Sequence, residues 1–450
     1  MTPNYAPSGL RSREHNVIAR QLPRKSQAIA GAHHEVAVSV LVLGRRDVVT
    51  SARVGVVPAV QCGLGRVRAQ IAADLEPIAV RERPVAEAVG ATLAMALAAG
   101  TPLPRVDSAA MDGYAVAGPG PWWRLHQQVS YAGRGCSVVL APGEAVRIAT
   151  GAATPLGTTA TLRDEHIVTT SVSGKPVVMR APGAPVRDDT RRQGEHWSSG
   201  TELARAGARV SPALASAALS AEAETVTVRG PLRADVVMTG DEIRAVGPLG
   251  PGETRDSLGP VMPEFLRCCD IESTGLWHLA DSRDLLRSWL TLKSHADLVV
   301  MVGATGRGAA DHLRTLLADL GARIIVERIA IRPGGSTLVA QLPDGRVLLG
   351  LPGNPFAAVA ALLAVGPAIV DALTLRTPGP TMWGRLSDAG VMEGEATRIV
   401  GVQQHPGGVW RSTGPAHTPH LAGLIPCQAL AILPPGTGRG SLVELLPLPH

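Results

Sequence analysis

Asp235-Val236-Val237-Met238-Thr239-Gly240-Asp241-Glu242 decides how the fold is read: an apolar, β-prone run stops at a glycine followed by two carboxylates. Short apolar runs bounded by turn residues mark buried strands. From this point the sequence alternates. Strand 235–238 leads to a helix over 261–268, a further strand, a helix over 283–291, a strand over 297–302, a helix over 309–320 and a strand over 323–329. Strands at 337–341 and 347–351 and a helix over 356–373 complete the series. Uniformly apolar strands separated by helices predict a parallel α/β sheet covered on both faces.

Upstream, Val67, Ile71 and Leu75, and then Val85, Val89, Leu93 and Leu97, recur at helical spacing, so two helices are expected to open the folded body. Between 102 and 181, strand-like runs at 145–148 and 177–179 alternate with Gly and Pro turns, as in a small β unit. A helix is expected over 212–221, with Pro212 in its first turn. Beyond 376 the chain reverts to short strands and turns. The expected organisation is an N-terminal extension (1–64), an elongated linking domain (65–105 and 182–226), a β lid domain (106–181), an α/β domain (227–375) and a C-terminal β-barrel-like domain (376–450).

A chain of 450 residues exceeds one ordinary core and fits about three domains. Its net charge of +5 comes from arginines spread along the chain, which excludes a nucleic-acid-binding tail. Five cysteines without CxxC spacing (Cys62, Cys136, Cys268, Cys269, Cys427) suggest neither a disulfide frame nor a zinc site and point to the cytoplasm. His33-His34 reads as solvated. No membrane-spanning segment and no secretory signal are expected.

In an open α/β sheet, ligands sit at the carboxyl ends of the strands. Three loops fall there. Gly240, Asp241 and Glu242 follow the first strand, where carboxylates suit Mg²⁺ or a hydrogen-bonding ligand but would equally cap a helix. Gly303, Thr305, Gly306 and Gly308, followed by Asp311, form a glycine-rich turn able to aim N–H groups at an anion, although it is neither a Walker loop nor GxGxxG. Pro352, Gly353, Asn354 and Pro355 make a turn from which Pro355 can start the next helix.

These loops combine with Asp107-Ser108-Ala109-Ala110-Met111-Asp112-Gly113-Tyr114-Ala115-Val116 and Gly143-Glu144-Ala145-Val146-Arg147-Ile148-Ala149-Thr150-Gly151-Ala152 in one order along the chain. In that order the segments resemble the molybdopterin molybdenumtransferase family, including the E domain of gephyrin, over about residues 65–450. The resemblance implies an elongated homodimer. It also implies a Mg²⁺-dependent transferase that inserts molybdate into adenylylated molybdopterin with release of AMP, and a molybdopterin adenylyltransferase as a further partner. Under it, Asp112 and Thr150 reach a cleft from the lid, Glu242 and Asp311 supply carboxylates and hold the metal, and Gly240, Asp241, Gly303, Thr305, Gly306, Gly308, Arg332, Pro333 and the Pro352–Pro355 turn bind the pterin substrate.

The sequence departs from the family pattern at Val302-Gly303-Ala304-Thr305-Gly306-Arg307-Gly308, which lacks two serines, and at Gly335, His196 and Leu258, which stand where a lysine, an acid and an asparagine are usual. A second reading is therefore a catalytically weakened molybdopterin-binding or carrier protein of the same fold.

Overall fold

Six strands form the sheet that carries the strand-end loops, in the order Ile271–Leu279, Leu232–Thr239, Leu298–Gly303, Val347–Pro352, Leu338–Gln341, Arg323–Val326. The computed structural model describes residues 62–305, 312–388, 395–414 and 418–449. The first four strands are mutually parallel, as expected. Leu338–Gln341 runs antiparallel to both its neighbours, so the sheet is mixed at that side. A short connection joins it directly to Val347–Pro352 with no crossover helix, and a connection that short permits only an antiparallel pair.

The central strands are apolar at every position because each face meets its own core. Val236, Val300 and Leu349 pack with the helices Leu64–Asp74, Met262–Arg267 and Pro355–Thr374. Val237, Val299, Met301 and Leu348 pack with Leu286, Leu290, Leu313 and Leu316 of the helices Arg283–Leu290 and His312–Asp319. Pro355–Thr374 is the one described helix long and apolar enough to cross a bilayer, yet it is mostly buried inside the protein. A helix apolar all round needs protein or lipid on every side, and here protein provides it.

The helix expected from Val67, Ile71 and Leu75 forms as Leu64–Asp74, with Leu64, Val67 and Ile71 buried and Leu75 just past its end. The one expected from Val85, Val89, Leu93 and Leu97 does not. That segment is a strand Arg81–Pro84, a single turn Val85–Glu87 and short strands Thr92–Leu93 and Leu97–Ala98. Pro84 ends the ladder and Gly90 turns the chain at φ +88°. Pairing with the returning strand Thr225–Arg229 then satisfies the backbone that local spacing would have coiled. Pro212–Ser220 is helical, with the Ser211 hydroxyl accepting from the N–H of Leu214 at 3.1 Å.

Six strands make the lid sheet, in the order Ala160–Arg163, Gly113–Val116, Glu144–Ile148, Trp122–Ser130, Lys175–Arg180, Ile167–Val172. At the C-terminal end, Thr397–His405, Val409–Ser412, Met382–Leu386, Leu442–Pro447 and Ala429–Leu433 close into a five-stranded barrel. Ile331–Arg332 adds to this barrel beside Thr397 and Arg398.

Candidate functional site

Three strand ends meet at the carboxyl edge of the sheet. Thr239 donates its hydroxyl to Val302 O and accepts from the N–H of Ala304, both at 3.0 Å. Gly303 sits at φ +119°, and a Cβ there would meet the Thr239 hydroxyl at 2.2 Å, so only glycine fits. Gly303 is also in register with Pro352, and Gly353 approaches it closely. This packing draws Gly240, Gly303, Pro352 and Gly353 together. Thr305 is buried, its hydroxyl donating to Leu351 O at 3.2 Å and lying 3.1 Å from the Ser336 hydroxyl. Thr305 therefore ties the loop to the 332–336 turn, and its side chain is spent on that link.

Asp241 and Glu242 follow the turn at Gly240, whose φ is +141°. The Asp241 carboxylate accepts from the N–H of Asp281 at 3.1 Å. Glu242 is exposed and its side chain folds back over Gly240, the carboxylate making no ion pair or hydrogen bond to another described residue. Gly240, Asp241, Ile243 and Arg244 line a cavity of about 430 Å³ together with Met238, His278 and Leu279.

Arg332 is exposed at the turn beside Ser336, followed by Pro333, and Gly334 adopts φ +113° over Ile331. Asn354 starts the helix Pro355–Thr374 through its backbone while its exposed side chain makes no capping bond. Gly306, Gly308 and Asp311 lie outside the described residues. Among the described residues, no group of three or more His, Cys, Asp or Glu side chains converges as a metal site.

In the lid, Asp112 and Thr150 are brought together as a pair. The N–H and hydroxyl of Thr150 both donate to one Asp112 oxygen, at 2.6 and 2.7 Å. These bonds, the backbone one foremost, hold the exposed Asp112 carboxyl below its usual range. Arg147 steadies the same corner through Asp164 and the Tyr114 hydroxyl. Gly113 is obligatory, since a Cβ would meet Leu162 O at 2.0 Å. Among the described residues, no hydrogen bond or ion pair joins Asp112 or Thr150 to the sheet edge within this chain.

Two features escaped the sequence reading. Arg192 bridges Asp107 and Asp188 where the chain enters and leaves the lid. The buried Asp256 accepts from Leu258 N–H (3.1 Å), Gly259 N–H (2.7 Å) and the His278 ring (2.8 Å). Burial works against ionisation of Asp256, but His278 and the two N–H groups outweigh it and hold the carboxyl below its usual range. His278 is a lone histidine on a strand with no local motif, so nothing in the sequence marked it. Leu258 turns its side chain into the main core and offers only its N–H here.

A doubly covered α/β domain with its site at the strand ends, a β lid and a C-terminal barrel define the class of this protein. Two family profiles match it, "MoeA N-terminal region (domain I and II)" over residues 64–222 and "Probable molybdopterin binding domain" over residues 235–371. A molybdopterin molybdenumtransferase of Haemophilus influenzae is 30% identical over 286 residues, 62% of this chain and 69% of its own length. One of Bacillus subtilis is 31% identical over 245 residues, 53% of this chain and 56% of its own. Molybdopterin molybdenumtransferase 2 of Mycobacterium tuberculosis is 27% identical over 389 residues, 82% of this chain and 94% of its own. The solved MoeA protein of Pyrococcus horikoshii shares the fold with a TM-score of 0.65 at 18% identity, covering 86% of this chain and 99% of its own. The chain belongs to the molybdopterin molybdenumtransferase family.

Proposed function

We propose that the protein inserts molybdate into adenylylated molybdopterin and releases AMP. The observation that carries this reading is the convergence of Gly240, Gly303 and Pro352–Gly353 at one strand edge, inside the segment matched by the molybdopterin-binding profile. Glycines at a strand end let a pterin or phosphate approach the backbone closely. The carrier reading is not favoured, because Glu242 stays exposed and uncommitted beside this edge.

Mg²⁺ fits the donor chemistry here, since it takes oxygen ligands and often only one or two protein carboxylates alongside substrate phosphates. Glu242 supplies one such carboxylate, and Asp311, outside the described residues, is assigned as the second. When bound, the ion would offset the charge of the phosphoanhydride. The chain's own part is to let substrate approach the side-chain-free backbone at Gly303 and Gly353 and to hold Asp112 ionised through Thr150.

We assign a homodimer in which the lid of one subunit serves the strand edge of the other, a reading supported by the lack, among the described residues, of a polar link from Asp112 or Thr150 to the strand edge of their own chain. A molybdopterin adenylyltransferase is the partner that would supply the substrate. A cytoplasmic location accords with five free cysteines.

Purified protein with Mg²⁺, molybdate and adenylylated molybdopterin is expected to form AMP and a cofactor that reconstitutes an apo-molybdoenzyme. AMP no higher than with heat-inactivated protein, at saturating molybdate, overturns the reading. Chelation with EDTA should stop AMP release and Mg²⁺ restore it. Sedimentation velocity decides the dimer.

A further inference from the structure

The His278 ring is held on one side and free on the other. Its Nε2 donates to the Asp256 carboxylate at 2.8 Å, while Asp256, whose side chain is 1% exposed, spends its other oxygen on the N–H groups of Leu258 and Gly259. A buried carboxylate bonded in this way fixes the ring's orientation and its tautomer, leaving Nδ1 as the unprotonated nitrogen. Among the described residues Nδ1 makes no hydrogen bond, and the side chain is 31% exposed. His278 also lines the 430 Å³ cavity with Gly240 and Asp241, the first of the strand-end loops. A histidine needed only to neutralise Asp256 would have no reason to open onto that cavity.

We propose that His278, oriented by Asp256, is the general base for hydrolysis of the phosphoanhydride of an adenylylated substrate. The proposal rests on the reading of the strand edge given above. In this step a water oxygen bonds to one phosphorus as the bridging P–O bond breaks. The bridging oxygen leaves with the bonding pair, the water proton passes to Nδ1, and the products are AMP and the pterin phosphate. Asp256 acts through His278 and is a positioning residue. The charged groups around the ring are Asp256 itself, Asp241 and Arg244 across the cavity, and Glu253, which pairs with Arg244 at 2.5 Å. Asp281 lies beyond Asp241, tied to it by its N–H. The Arg244–Glu253 pair is internally neutralised, so Asp241 and Asp256 are the uncompensated charges nearest the ring.

The test uses the full-length protein. His278→Gln keeps a donor for Asp256 but no base, and is expected to lower kcat for AMP release about 100-fold with KM changed less than about threefold. The decline of kcat on the acid side of neutrality that a histidine base imposes should disappear. Imidazole should restore part of the rate to His278→Gly. Asp256→Asn should lower kcat less, because the base remains but its tautomer is no longer fixed. Independently of turnover, ¹⁵N spectra of the imidazole should report the Nε2–H tautomer and a shift of the His278 signals on addition of AMP, which Asp256→Asn weakens. Wild-type kcat and pH profile in His278→Gln, or His278 signals indifferent to AMP, overturn the proposal. Wild-type protein that releases no AMP overturns the transferase reading instead, and the AMP titration then decides this one alone.

Discussion

Thr239 and Gly303 interlock across adjacent parallel strands: the threonine hydroxyl bonds to both sides of the Gly303 turn, at Val302 O and Ala304 N–H, in the space where a Gly303 side chain would otherwise lie. The strand-end site depends on this contact, because the same turn brings Gly303 beside Pro352 and Gly353. Gly303→Ala should clash with the Thr239 hydroxyl and strain a positive-φ backbone. A loss of about 3 kcal/mol or more in urea unfolding is expected, together with loss of AMP release. Thr239→Ser, which keeps the hydroxyl, should retain most of the stability.

In the lid, the Asp112–Thr150 pair is surface chemistry. Asp112→Asn and Thr150→Val should leave the melting temperature within about 2 °C of wild type, as is usual for surface changes. Asp112→Asn should lower the rate of AMP release by about tenfold or more, since it removes the charge of a group assigned to the cleft, and Thr150→Val by less, since it removes the hydroxyl bond and keeps the backbone one. Unchanged kinetics in both variants would remove Asp112 from the site.

Glu144 links the lid's acid stability to pH. It accepts from the Ala141 N–H, His126 and Arg124, and these bonds depress its pKa from 4.5 to about 2. A carboxyl with a depressed folded value contributes stability that is fully present at neutral pH. That contribution begins to fade as pH falls through the unfolded value near 4.5 and is gone once it passes about 2. Glu144→Gln should flatten the pH dependence of lid unfolding within this window, as followed by fluorescence of the buried Trp123.

Asp270 joins the linking strands to the sheet domain. It accepts two bonds from Arg209 and one from Arg376, each at 2.6 Å, and Arg376 also donates to Thr92 and to Gly90 O. Burial opposes ionisation of Asp270, yet the two guanidinium groups hold its carboxyl below the usual range. Asp270→Asn would leave the buried Arg376 guanidinium without its carboxylate and would also release the exposed Arg209. A cost of about 3 kcal/mol is expected, with earlier protease cleavage between residues 76 and 92.

Much of this protein was legible in the sequence for a simple reason. Strands buried on both faces must be apolar at every position, so the runs ending at Thr239, Gly303 and Pro352 announced a parallel α/β sheet and placed the loops at its carboxyl edge. Glycines needed at positive φ stood out at Gly240 and Gly303 for the same local reason. What the sequence did not contain was anything that depends on partners far along the chain. Val85 to Leu97 carried helical spacing, but its backbone pairs with residues more than a hundred positions away, and long-range pairing outweighs a weak local preference. The partnership of Asp256 with His278 likewise exists only because a loop and an edge strand are brought together by the sheet. Sequence periodicity determined which surfaces would be buried; only the tertiary structure decided which polar groups would meet there, since a hydrogen bond is specified by position in space and leaves no period in the chain.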